Sequence, residues 1–236
     1  MRTEGFGGPI GRKYANIDRV GRKALSEGEI QRFEGFPGDL KNRFNVAAQF
    51  APASEREFVE RVTGPAKEIA AQLGIDFMVA GEDFPIHSTM LEGLYQGDDD
   101  AERQKLFADL QKDAGFQDRI NALNGLEVPY KYLLMDKGNV ILNSVEIPDD
   151  ILELRQFLTK YYAEKKLKPL AMDNILHISA ARMVKLPEEE QEKSFAEYRR
   201  RMVELRHSIS SEPLSLKIDH LHSGSTLQLL KGFSEG

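Results

Sequence analysis

Along this chain, runs in which apolar and polar residues alternate exchange regularly with runs in which apolar residues return every three or four positions. Residues 44 to 50, FNVAAQF, read as a strand. Ser54-Glu55-Arg56-Glu57 then fits a capping box, and Phe58, Val59, Val62, Ala66, Ile69, Ala70 and Leu73 follow at helical spacing, with Gly64-Pro65 as a break or kink. A strand over residues 75 to 80 leads through Gly81-Glu82-Asp83 and Pro85 into another that begins near Ile86. The first half therefore reads strand, helix, strand, strand.

A helix is predicted after Asp98-Asp99-Asp100, with Leu106, Phe107 and Leu110 inward, and a second one carries Ile120 and Leu123. Residues 130–135 and 140–147 are β-rich runs around Asp136-Lys137-Gly138-Asn139, a hairpin signal. Asp149 or Asp150 caps a helix with Ile151, Leu154, Leu158 and Tyr161 inward, and a strand follows near Leu176. The order of the first half thus recurs, which implies an internal pseudo-duplication with little residue identity. A helix over 187–207 begins with Pro187 and three glutamates suited to its dipole. The chain closes with a predicted hairpin, residues 214–221 and 226–230, turning at Ser223-Gly224-Ser225.

The first 42 residues stand apart. Glu4-Gly5-Phe6-Gly7 is echoed by Glu34-Gly35-Phe36, neither fits a phosphate-binding glycine fingerprint, and Ser26-Glu27-Gly28-Glu29 predicts a short helix near 27 to 33. The fold class is α+β: two pseudo-symmetric lobes of antiparallel sheet, flanked by helices around a central cleft, over residues 43–236, with residues 1–42 as an N-terminal extension.

Composition narrows the function. With 236 residues, 41% hydrophobic and 30% charged, the chain is ordinary for a soluble globular protein. The absence of cysteine excludes disulfides, thiolate zinc sites and a cysteine nucleophile. No apolar run approaches the roughly 20 residues of a bilayer span, and the N-terminus lacks the apolar core of a signal peptide, so a cytoplasmic protein without a membrane partner is expected. The net charge of −6 argues against binding along a long duplex, whereas a nucleotide or an RNA end needs only a local pocket.

The candidate chemistry lies in a pattern that occurs twice, His87-Ser88-Thr89 and His177-Ile178-Ser179, each in a strand. Residues i and i+2 of a strand share a face, so each segment presents an imidazole beside a hydroxyl. Two such segments on one cleft would break a phosphodiester without a metal or other cofactor. One of His87 and His177 would take a proton from the attacking oxygen and the other would give one to the leaving oxygen, while Thr89 and Ser179 bind the phosphoryl oxygens.

Other residues carry weaker signals. Strict alternation places Arg182 opposite His177 unless a bulge intervenes. Tyr130, Tyr132, Phe84 and Tyr95 could stack on a base, and Lys160, Lys165, Lys166 and Lys168 form a basic cluster, though core packing and a solvated helix end explain them as well. His220 and His222 have the spacing of a zinc pair but lack an obvious third ligand, and Asp219 should face the other way. His207 is accounted for by a helix C-terminus.

The paired His-x-Thr/Ser motifs, with FNVAAQF followed by Ala51-Pro52, LHISAARM around the second motif and the closing LKIDHL, resemble the 2H phosphoesterase superfamily from about Arg43 to Phe233. The similarity is to its RNA 2′,5′-ligase-like and cyclic phosphodiesterase branches. It implies a bilobal domain acting on a 2′,3′-cyclic phosphate or 2′,5′-linkage in a nucleotide or RNA terminus. The rival readings are a nucleotide- or RNA-binding module without turnover and a metallohydrolase built on His220 and His222. The oligomeric state is open.

Overall fold

The computed structural model describes residues 8–36, 38–170 and 175–234, so the glycine-rich stretch at residues 4–7 and Pro37 lie outside the described residues. Eight strands form one antiparallel sheet: β1 (Arg43–Phe50), β2 (Asp76–Val79), β3 (His87–Tyr95), β4 (Glu127–Asp136), β5 (Asn139–Ser144), β6 (Leu167–Pro169), β7 (His177–Lys185) and β8 (Leu214–Ser225). Their order is β2-β7-β5-β4-β8-β1-β3-β6, and β7 also touches β3. The sheet thus divides into two four-stranded lobes, β6-β3-β1-β8 and β2-β7-β5-β4. They join where β4 pairs with β8 and meet again at one β3–β7 pair, Ser88 with Ile178.

Helices flank the sheet: α1 (Gly8–Glu27), α2 (Pro52–Phe58), α3 (Gly64–Ala71), α4 (Asp100–Lys112), α5 (Ala114–Leu123), α6 (Asp149–Glu164), α7 (Gln191–Ser211) and α8 (Thr226–Ser234). The mixed α+β antiparallel architecture matches the sequence pattern, as does the recurrence of strand, helix, strand and motif strand (β1, α2–α3, β2, β3, then β5, α6, β6, β7). One apolar cluster runs through both lobes, taking Val46 and Met90 from the first, Leu142 and Ile178 from the second, and Ile69, Leu154 and Leu158 from the helices. A side chain added on the buried side of a motif strand must displace this core, which fixes the register of both strands.

Four elements depart from the sequence reading, each for a local reason. The helix expected near 27–33 lies upstream, at Gly8–Glu27. It stops at Gly28, whose φ of 71° suits a left-handed cap, and the Glu29 amide donates to the Ala24 carbonyl (2.9 Å), the bond of a Schellman motif. Its inward stripe was illegible because Gly21 and Asp18 occupy it. A Cβ on Gly21 would stand 1.9 Å from the Met135 carbonyl oxygen, so α1 lies directly on β4. Asp18, 1% exposed, is paired with Arg22 (2.9 Å) and with Arg206 of α7, which also donates to the Leu133 carbonyl. Tyr14 joins Leu134, Ile141 and Ile175 in a second, smaller core.

The helix expected behind Ser54 starts at Pro52, with Ser54 buried and accepting from the Lys217 amide instead of capping. Gly64-Pro65 produces a π turn over Val59–Thr63 rather than a break, since one extra residue per turn accommodates the proline ring. β6, three residues long, pairs with the end of β3 and was too short to carry a pattern. The closing hairpin is absent. Ser223, Gly224 and Ser225 continue β8 along β1, and the Ser225 hydroxyl then accepts from the Gln228 amide to start α8.

Candidate active site

β3 and β7 place their motifs by the same device. Both have the burial sequence half-buried, buried, half-buried, buried, buried, half-buried, buried from the histidine onward. In β3 the pairing with β1 skips Met90, and in β7 the pairing with β5 skips Ala180, so each strand has a bulge three residues after its histidine. The alternation that exposes His87 and Thr89, or His177 and Ser179, is reset by the bulge. The fifth residue after each histidine, Glu92 or Arg182, therefore joins the motif face. Arg182 accordingly lies on the side of His177 and Ser179, and not opposite them as unbroken alternation would have it.

The Ser88–Ile178 pair sets His87 beside Ser179 and Thr89 beside His177, with the two histidines on the diagonal, a relation of about 7–8 Å in antiparallel sheets. On the buried side the Ser88 hydroxyl donates to the His177 carbonyl (2.9 Å), tying the motifs together through the wall of the site. Two rows then extend across the sheet. Asn143, His177, Thr89, Ala47 and His222 make one, and Ile141, Ser179, His87, Gln49 and His220 make the other.

The Nδ1–H of His87 donates to the Pro85 carbonyl (2.9 Å), which leaves Nε2 to carry the lone pair of the neutral ring. Burial lowers the His87 pKa, and nearby Arg182 and His222 lower it further against the opposing effect of the Pro85 bond. His177 is lowered to about 4, by burial first and then by His87, Arg155 and Arg182. Both imidazoles are thus neutral at pH 7 and sit in a positive field. Arg155 acts on His177 from α6, where it is buried and donates to the Met90 and Ile175 carbonyls (2.8 Å each).

Arg182 is held by the N-terminal segment. Its guanidinium carbon lies 4.9 Å from the Phe33 ring centre, 5.4 Å from Phe36 and 5.5 Å from Phe84. Phe33 is fixed by its amide on the Met183 carbonyl (2.8 Å), and Gln31 by its amide on the Lys137 carbonyl (2.8 Å). The stretch after α1 is therefore a strap across the β4–β5 turn and the end of β7. Sequence alone did not point to Phe33 and Phe36, because the contact depends on the β7 bulge.

The remaining candidates are placed elsewhere or otherwise. Tyr130, Phe84 and Tyr95 are buried in the core, although Phe84 touches Arg182, and Tyr132 packs on Tyr14 (5.4 Å). Lys166 pairs with Glu102 and Lys165 lies over Tyr161. A register shift between Gln49 and Phe50 leaves Asp219 bulged, so it turns to the same side as His220 and accepts from its Nδ1 (2.9 Å). Among the described residues no three His, Asp or Glu side chains form a group able to hold a metal. Among them, too, no helix is long and apolar enough to cross a membrane.

No family model and no curated protein matches the chain. Among solved structures it is similar to Usb1 of Kluyveromyces marxianus with uridine monophosphate, at 14% identity over 79% of this chain and 95% of that one, with a TM-score of 0.42. A second Usb1 structure is similar at 13% identity over 73% and 84%, TM-score 0.38. A conserved protein of unknown function from Agrobacterium tumefaciens is similar at 12% identity over 89% and 97%, TM-score 0.45.

Proposed function

We propose that this protein is a phosphoesterase of the 2H type, cleaving or reversibly forming a 2′,3′-cyclic phosphate or a 2′,5′-phosphodiester in a nucleotide or at an RNA end, with His87 and His177 as its proton-transfer pair and no metal in the reaction. The observation that carries this reading is the Ser88–Ile178 contact, which puts two His-x-Thr/Ser segments back to front on neighbouring strands with both imidazoles and both hydroxyls on one face.

The chemistry needs one base, one acid and a place for charge. In hydrolysis of a cyclic phosphate, a water oxygen bonds to phosphorus, the proton it sheds goes to one imidazole, and the departing ribose oxygen takes a proton from the other. His87 suits the base, because its Nδ1 is committed to Pro85 and Nε2 is the lone-pair nitrogen. His177 then supplies the proton once the bound anion has raised its pKa. In the ligation direction the roles exchange. Thr89 and Ser179 donate to the non-bridging oxygens, and Arg182 offsets the developing charge.

The test is steady-state turnover of 2′,3′-cyclic mononucleotides, cyclic-phosphate-ended RNAs and 2′,5′-oligonucleotides, with and without a chelator, by the protein and by His87→Ala and His177→Ala. Each alanine variant should lose about 10²–10⁴-fold in kcat while keeping its fold. Nucleotide binding without histidine-dependent turnover would make the protein a binding module instead. Activity abolished by chelation would overturn the metal-free step.

A further inference from the structure

Next to the proposed reaction centre, on the Pro85 side of His87, lies a cavity of about 630 Å³ whose chemistry differs from that around Arg182. It adjoins the proposed reaction centre: Gln49 and His220, which extend the row of Ser179 and His87, line it, and so does Pro85, whose carbonyl holds His87. Val59, Ile86 and Phe50 supply apolar wall. A volume in the range of about 300–1,000 Å³ with a few polar groups suits one small organic ligand.

The charge in this cavity is of the wrong sign for a phosphate. Glu55, Glu60 and Asp219 line it against the single guanidinium of Arg56, and His220 is engaged by Asp219. Glu55 is partly buried and its pKa is raised, by burial first and by Asp219 after the opposing effect of His220. The Gln49 amide and the Glu55 carboxyl offer donor and acceptor positions to the edge of a base. A cleft that is cationic at Arg182 and anionic past Gln49 has a direction.

Resting on the phosphoesterase reading, we propose that this cavity is a nucleoside subsite for the residue on the His87 side of the reacting phosphate, and that its carboxylates exclude a further phosphate there. The substrate on that side is then the unphosphorylated end of a chain, because like charges brought together in a partly desolvated pocket oppose binding. An internal linkage, which continues into another phosphate, is turned away.

The experiment compares kcat/KM for three dinucleotide substrates with the same reacting linkage: one with no terminal phosphate, one phosphorylated at the first nucleoside and one at the second. A phosphate at one end only should lower kcat/KM ten-fold or more, and in Glu55→Gln/Glu60→Gln that ratio should shrink at least three-fold. Equal turnover of all three, or a ratio unmoved in the variant, overturns the subsite while leaving the phosphoesterase reading intact. Turnover of none, with His87→Ala indistinguishable from the parent, removes that reading and the subsite with it.

Discussion

Replacing Arg182 by methionine separates the two things that its position does. The guanidinium lies within 6 Å of three rings, at 4.9, 5.4 and 5.5 Å, and each such contact contributes about 0.5–1 kcal/mol, some 2 kcal/mol together. Against this stands the cost of burying the charge, which is visible in the lowered pKa of the group. A flexible methionine also keeps apolar contact with Phe33, Phe36 and Phe84, so the net loss of stability should be no more than about 1 kcal/mol. The effect on the site is larger. Removing one group that stabilises phosphoryl charge costs about 3 kcal/mol, roughly a hundred-fold in kcat/KM for a 2′,3′-cyclic nucleotide. Both histidines should also titrate higher, because the cation that lowers each of them is gone. Arg182→Lys should restore the histidine pKa values but little of the rate, since the ammonium lacks the planar fork. Proton-detected titration of the imidazoles, thermal denaturation and steady-state kinetics measure the three effects. A methionine variant with kcat/KM within three-fold of the parent and unmoved histidine pKa values would refute this account of Arg182.

Three further outcomes follow from the same geometry. Holding His177 neutral at a pKa of about 4 contributes stability that is complete above about pH 6.5 and is lost as pH falls toward 4, because the unfolded chain takes up a proton that the folded one resists; His177→Gln should remove about 3 kcal/mol of the fall in unfolding free energy between pH 7 and 4, read from urea denaturation at each pH, and an unchanged fall would contradict it. Ser88, 0% exposed, bonds the His177 carbonyl and meets the Tyr130 hydroxyl, so Ser88→Ala should cost about 1–3 kcal/mol in chemical denaturation and lower kcat although the residue faces away from substrate. Gly138 has φ of 152°, and a Cβ there would stand 2.3 Å from the Gln31 carbonyl oxygen; Gly138→Ala should lift the strap, seen as faster amide exchange at residues 31–36 and a higher KM, and protection equal to the parent would refute the strap's dependence on that glycine.

The architecture was legible wherever one face of an element is apolar and the other polar. β3, α6 and α7 carry that signature, and Asp99, within the Asp98-Asp99-Asp100 run, announces α4 as its N-cap. α1 was misplaced because its buried side, Gly11, Tyr14, Asp18, Gly21, Ala24 and Leu25, carries little apolar bulk, and close backbone approach and an ion pair take its place. The end of β8 was misread because Ser-Gly-Ser is a turn signal in isolation, whereas here pairing with β1 holds it extended. In the site, His87, Thr89, His177 and Ser179 were visible as a spacing. Arg182 was noted beside the second motif, but which face it joins depends on the β7 bulge, and a bulge leaves no mark in a pattern of period two; Gln49 and the strap carried no sequence signal.

The matched bulges of β3 and β7 leave one asymmetry. Two halves built on the same frame would cradle a phosphodiester equally well either way round, and a strictly two-fold groove could not tell the entering oxygen from the departing one. At the fifth position the copies diverge: one carries Arg182, pressed among aromatic rings, and the other Glu92, bound to Thr226 (3.0 Å) and Arg43 (3.6 Å). That difference of sign at matched positions gives the groove a polarity, so that a phosphodiester bound as proposed would favour one lie over its mirror arrangement, and the two halves differ more in this opposed pair of side chains than in the histidines themselves.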